Sequence, residues 1–157
     1  MRAASRKGRC AMVASDKERV LGIIKQAASH AYLATCDGDQ PVVRSISPIV
    51  EDDRTIWVTT SATANKVKQI QKNPKVCFLF AVQPTGEKSA AVYGRAQIVT
   101  DLETKKRIWG LASFDLSQFF PDGPESPGYG LLRIVPDEIR WRDGWAGGEK
   151  VYRPKNG

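Results

Sequence analysis

The turn signals in this chain stand too close together for its strands to be joined by crossovers. Asp37-Gly38-Asp39, Glu51-Asp52-Asp53-Arg54 and Pro84-Thr85-Gly86 each separate runs rich in β-branched or aromatic residues. A parallel pair needs a crossover of about a dozen residues or more, whereas a hairpin closes over about two to five. An antiparallel sheet is the consequence.

The runs can be placed in order. Ser15-Asp16-Lys17-Glu18 is a capping box, and Val20, Leu21, Ile23, Ile24 and Ala27 recur behind it at helical spacing, predicting a helix over 16–29. His30–Cys36 reads as a strand, Gly38 as a turn residue with positive φ, and Pro41–Val50 as one long returning strand. Thr55–Thr60 is a third strand. Residues 62–72 return to helical character, with Ser61 or Thr63 as cap and Asn73-Pro74 as stop. Lys75–Val82 is almost continuously apolar and reads as a strand buried on both faces. A long strand over Lys88–Thr100 follows. Asp101 then caps a helix whose apolar side holds Leu102, Ile108, Trp109 and Leu111. Phe114–Gly130 reads as an ordered loop, and Leu131–Val135 and Glu138–Arg142 as two closing strands.

Seven or so strands at hairpin spacing, punctuated by short helices, predict a mainly β (α+β) domain: a small antiparallel barrel with helices plugging its ends. The 157 residues fit one such domain, over 15–145, between a basic leader over 1–14 and a frayed tail over 146–157. Hydrophobic residues at 41% and charged residues at 26% match a globular chain, and no apolar run reaches the ~18–20 residues of a membrane helix.

The formal net charge is +7, but Arg2, Arg6, Lys7 and Arg9 all precede the first acidic residue, Asp16. Removing those four cations leaves +3 on the rest, without the basic, aromatic-interleaved stripe of a nucleic-acid binder. The leader lacks the apolar middle of a secretory signal. It reads either as a disordered extension ahead of a start at Met12 or as an electrostatic arm for an acidic surface. Cys10, Cys36 and Cys77 form no CxxC pair and no disulfide framework, which suits a reducing cytoplasm.

The catalytic inventory is thin. His30 is the one histidine, so a histidine-rich metal site is excluded. No GxSxG, GxxxxGKS or GxGxxG motif occurs. An enzyme built on this chain would leave the reaction to a cofactor. One constellation is suited to holding one. Arg44 interrupts the strand Val42-Val43-Arg44-Ser45-Ile46-Ser47, and Thr59-Thr60-Ser61 leads into a helix carrying Asn65 and Lys66. Hydroxyls, a lysine, an arginine fork and free helix amides make a phosphate pocket. By the residues alone, ordinary solvated charges on a strand and a helix account for Arg44 and Lys66 equally well.

The order helix, β-meander, Thr59-Thr60-Ser61, Lys66, Ile70, Asn73-Pro74 and apolar strand resembles the pyridoxamine 5′-phosphate oxidase-like superfamily of flavin-binding split barrels. Phe119-Phe120-Pro121-Asp122-Gly123-Pro124, Leu131-Leu132-Arg133-Ile134 and Pro136, Ile139 and Trp141 resemble its general stress protein 26 branch. The likeness spans roughly residues 15–143.

It implies flavin mononucleotide (FMN) in a cleft between two barrels of a homodimer, with Arg44 and Lys66 on the flavin phosphate and Thr60 and Ser61 beside them. It implies backbone groups of Ser45 and Ile46 at the ring edge. Asn65 stands where the vitamin oxidase has a second phosphate-binding arginine, and Ser89 where it has a glutamine near the flavin. The arginine and histidine that grip pyridoxal phosphate have no counterpart, so oxidation of pyridoxamine phosphate is not expected. Other branches of this fold bind a deazaflavin or haem. Two functions follow: an FMN-dependent oxidoreductase drawing on NAD(P)H or another small reductant, or a non-catalytic flavin-binding stress protein. An open barrel of this size cannot enclose a three-ring flavin alone, so several of Trp109, Phe114, Phe119, Phe120 and Trp141 are expected at a two-fold interface, the alternative being that they fill the barrel ends of a monomer.

Overall fold

The computed structural model describes residues 14–155; the expected leader lies outside them except for its last residue. Helix α1 (Asp16–Ala27) begins at the foreseen capping box: the Glu18 amide donates to Ser15 Oγ at 3.3 Å, and the Ser15 amide to Glu18 Oε2 at 3.2 Å. It runs into a 3-10 turn, Ala28–His30, rather than continuing to residue 29. Strands β1 (Ala31–Asp37), β2 (Gln40–Ile46), β3 (Ile49–Val50) and β4 (Ile56–Ser61) follow, then α2 (Asn65–Lys72), β5 (Lys75–Ala81), β6 (Lys88–Ile98), α3 (Leu102–Trp109), β7 (Tyr129–Asp143) and β8 (Lys150–Tyr152).

All pairings are antiparallel, in the order β2-β1-β5-β6-β7-β4-β3, with β8 alongside β7. The two ends of that path, β2 and β3, are separated in the chain only by Ser47 and Pro48. The sheet must therefore curl until its ends approach, which makes a split barrel. Its interior is filled by Val20, Ile23 and Ile24 of α1 together with Leu33, Phe78, Phe80, Val92, Ile139 and Trp141.

Several expectations are corrected. Pro41–Val50 is not one strand: it breaks at Ser47-Pro48, because Pro48 has no amide to donate and the two halves pair with opposite ends of the sheet. The two expected closing strands are one. β7 bends instead of stopping, at a bulge where Tyr93 pairs with Glu138 but Gly94 pairs with Pro136, leaving Asp137 unmatched. β5 is not buried on both faces. Val76, Phe78 and Phe80 point inward, while Leu79 is 41% exposed on the outer face of the curl, which the helices packed at the core do not cover. The tail is not wholly frayed, since Lys150–Tyr152 pairs with β7. In α3 only Ile108 is buried; Leu102 and Leu111 are exposed. The loop after α3 is ordered by two 3-10 turns, Leu116–Gln118 and Gly123–Glu125.

Of the five aromatics offered for an interface or the barrel ends, Trp141 fills this chain's own core. Trp109 and Phe120 pack on Tyr129, with ring centroids 5.1 and 5.4 Å away. Phe114 and Phe119 stay exposed and meet edge-on at 6.3 Å.

Candidate anion-binding site

Arg44 lies opposite Leu33 on β1, which in turn lies opposite Phe78 on β5. Leu33 and Phe78 are core residues, so Arg44 occupies the inward position of that row on the strand at the split. A charge there must be held. Its Nη1 donates to Thr35 Oγ1 at 2.7 Å and to the Leu33 carbonyl at 3.2 Å, and its Nη2 to Gln69 Oε1 at 2.9 Å. Thr35 Oγ1 also donates to Gln69 Oε1, at 2.6 Å. Three elements, β1, β2 and α2, are joined at the guanidinium.

Lys66 approaches from the first turn of α2, its Nζ donating to Thr60 Oγ1 at 2.9 Å. Thr60 is held in place by a close approach to β7: a Cβ on Gly130 would sit 3.0 Å from Ala62 Cα and 3.2 Å from the Thr60 carbonyl oxygen. Burial lowers the pKa of both cations, and the Arg44 charge lowers that of Lys66 further. Among the described residues neither lies within 4.0 Å of a carboxylate oxygen. Two partly desolvated, mutually repelling cations without a counter-charge favour the approach of an anion.

The helix lacks the side-chain cap expected from Ser61 or Thr63. α2 starts at Asn65, later than foreseen, and its N-cap is Ala64, with no side-chain hydrogen bond. Ser61 Oγ accepts instead from the Thr63 amide at 3.3 Å, within the turn. No side chain caps the first amides of α2, which stand at the positive end of the helix.

Thr60 and Ser61 also border a cleft of about 440 Å³ completed by Thr59, Phe114, Leu116, Phe119 and Phe120. It is apolar on one wall and hydroxyl-lined on the other. The remaining expected residues fall elsewhere. Ser45 faces outward, next to Arg44 but on the other side of β2, and with Ile46 it borders a recess near Ser29, His30 and Tyr32. Ser89 lies on β6, three strands from β2, and pairs with Ala81 and Arg142. Asn65 borders a recess on α2. Thr35 and Gln69 were missed, and Phe114, Phe119 and Phe120, expected only for an interface, line the cleft. Gln69 had one readable signal, its place one turn beyond Lys66 on the same helix face.

The profile of the Pyridoxamine 5'-phosphate oxidase family matches residues 17–143. General stress protein 26 of Bacillus subtilis (strain 168) is 31% identical over 126 residues, covering 79% of this chain and 86% of the relative. The crystal structure of the General Stress Protein 26 from Bacillus anthracis str. Sterne superposes with a TM-score of 0.71 at 27% identity, over 88% of this chain and 98% of that one. A heme binding protein from Mycobacterium smegmatis shares the fold, with a TM-score of 0.72 at 12% identity, over 91% of this chain and 60% of that one. By the extent of these matches, this chain belongs to the pyridoxamine 5′-phosphate oxidase family and is a homologue of general stress protein 26.

Proposed function

We propose that the chain binds FMN and acts as a flavin-dependent oxidoreductase, in a homodimer whose two barrels share the flavin sites. The observation that carries this reading is the uncompensated pair Arg44 and Lys66, set between an uncapped helix N-terminus and an apolar cleft. A phosphate dianion matches the first part and a planar ring system the second. Arg44 offers a fork, Lys66 a point charge, and Thr60 and Ser61 hydroxyls.

The aromatic wall of Phe114, Phe119 and Phe120 suits a ring stacked or edge-packed against it. Two of those rings are exposed, and a second copy laid over the cleft would cover them and exclude water from the ring. Ser45, Ile46 and Ser89 lie off this pocket, so in the proposed dimer they serve the ring from the other side of the interface. Bound flavin supplies hydride and electron transfer, with NAD(P)H or another small reductant as donor. Haem fits less well, since His30, the chain's one histidine, sits at the Ser29–Ser47 recess and not at the cleft. A cytoplasmic setting, which keeps Cys36 and Cys77 as thiols, completes the reading.

Titration with FMN and with riboflavin tests the binding: FMN should bind with a perturbed visible spectrum and riboflavin should bind far more weakly. Mixing with NADH or NADPH without oxygen then tests the activity. Bleaching of the bound flavin is the expected result. A flavin that stays oxidised with every nicotinamide or small reductant offered supports the non-catalytic reading.

A further inference from the structure

Helix α3 carries three cations in succession, Lys105, Lys106 and Arg107. Lys106 Nζ meets Glu125 Oε1 at 3.0 Å, and Arg107 Nη1 meets Glu51 Oε1 at 2.6 Å. Lys105 has no such partner. It is half-buried, and among the described residues no carboxylate oxygen lies within 4.0 Å of its amine. Its Nζ stands instead 5.0 Å from the centroid of the Tyr129 ring.

Tyr129 is 1% exposed, and among the described residues its hydroxyl has no hydrogen-bond partner. A buried hydroxyl left unpaired is destabilising, and phenylalanine would fill the same core space without that penalty. Burial pushes the phenol pKa up to about 12, so the group keeps its proton and stands as a neutral donor.

Both residues line one cavity of about 270 Å³. Its walls are largely apolar, with Val67 of α2, Ile98 at the end of β6 and Leu131 of β7 among them, and Gln71 and Thr100 add polar side chains. Lys105 is the one charged residue on this lining, which holds no carboxylate. The cavity shares no lining residue with the Thr60–Phe119 cleft, and neither Arg44 nor Lys66 borders it.

We infer that this cavity is a separate ligand site for a small monocarboxylate, whose apolar body fills it and whose carboxylate accepts from Lys105 Nζ and the Tyr129 hydroxyl. One cation answers one negative charge. A phosphate dianion would bring a second charge against apolar walls with no second cation to meet it. The volume lies below the roughly 300 Å³ at which pockets for drug-sized ligands begin, so the body is a single ring or a short chain. The site needs no flavin, and it stands whether or not FMN binds elsewhere.

The test titrates the full chain, without added flavin, with benzoate and with pentanoate, and with benzamide as an uncharged match. Heat and backbone amide shifts are followed. At least one carboxylate should bind, benzamide should bind far more weakly, and the largest shifts should fall around Thr100, Lys105 and Gly130. Lys105→Met and Tyr129→Phe should each weaken the carboxylate about tenfold, the scale of a hydrogen bond to a charged group. Lys106→Met, which removes a cation already paired with Glu125, should leave it unchanged. Without ligand, Tyr129→Phe should keep or raise the urea midpoint, because the hydroxyl it deletes makes no bond. A lowered midpoint would show that hydroxyl to be paired already and would overturn the inference. So would failure of both carboxylates to bind with a Kd under about 10 mM, benzamide binding as tightly as benzoate, or an unchanged affinity in Lys105→Met or Tyr129→Phe. A loss seen only in Arg44→Ala would put the anion in the other pocket and overturn it as well.

Discussion

Arg44 Nη2 and Gln69 Oε1 are 2.9 Å apart, joining the strand at the barrel's split to the middle of α2. The glutamine is neutral, so it fixes the guanidinium without neutralising it. A carboxylate in that place would hold Arg44 more tightly and remove its use to an anion.

That arrangement assigns different roles to three residues. Arg44→Ala and Lys66→Ala should each weaken FMN binding by about 1.5–3 kcal/mol, the scale of a charged hydrogen bond. Gln69→Ala should cost about 1 kcal/mol, by freeing the guanidinium and not by deleting it. Isothermal titration with FMN and riboflavin measures this. Riboflavin affinity should be unmoved by any of the three; a matching loss would mean damage to the fold.

Lys66 also sets a pH dependence. Its pKa in the folded chain lies below the ordinary 10.5, through burial first and the Arg44 charge second. The unfolded chain then holds the proton more tightly, so charged Lys66 opposes folding, and the penalty fades as pH rises from the lowered value towards 10.5. Ligand-free Lys66→Met should therefore be more stable than the parent at neutral pH, with the gap closing across that window. FMN affinity should fall over the same rise, as the lysine loses its charge. Denaturation midpoints and flavin titrations at a series of pH values check both slopes.

Gly94 of β6 lies across from the bulge in β7, and a Cβ there would lie 2.6 Å from the Val135 carbonyl oxygen and 3.3 Å from Ile134 Cγ2. Backbone cannot give way as a side-chain tip does. Gly94→Ala should destabilise the domain by about 2–4 kcal/mol, read as a lower urea midpoint.

Glu51 clamps α3 to the barrel. Its carboxylate accepts from Trp57 Nε1 at 2.6 Å and from Arg107 Nη1 at 2.6 Å. The Arg107 hydrogen bond, foremost, holds its pKa below 4.5 despite partial burial. That stability is present above the ordinary value and is lost as pH falls through the lowered one. Glu51→Gln should cost about 1 kcal/mol at neutral pH, and the difference from the parent should vanish in acid.

The proposed dimer should give a light-scattering mass about twice the chain's 17.3 kDa. Phe119, 66% exposed beside the cleft, is the ring expected to gain most from a second copy. Phe119→Ser should weaken association and flavin binding together. A mass near that of one chain, with flavin still bound at full affinity, would exclude the shared site.

The sequence by itself determined the antiparallel pairing, the helix caps at Ser15 and Asp101, and the cations of the pocket, because turns, caps and interrupted apolar runs are local. It pointed to Arg44 because a charge stood where an inward apolar residue belonged. Only the tertiary structure decided that this charge is held rather than solvated. Thr35, Gln69 and Thr60 come from β1, α2 and β4, and they meet Arg44 and Lys66 only because the sheet curls until β2 and β3 approach. The bulge of β7 at Asp137, opposite Gly94 of β6, and the exposure of Leu79 on β5 were equally beyond the sequence. A run of apolar residues states what can be buried, but the curvature of the sheet decides which face is.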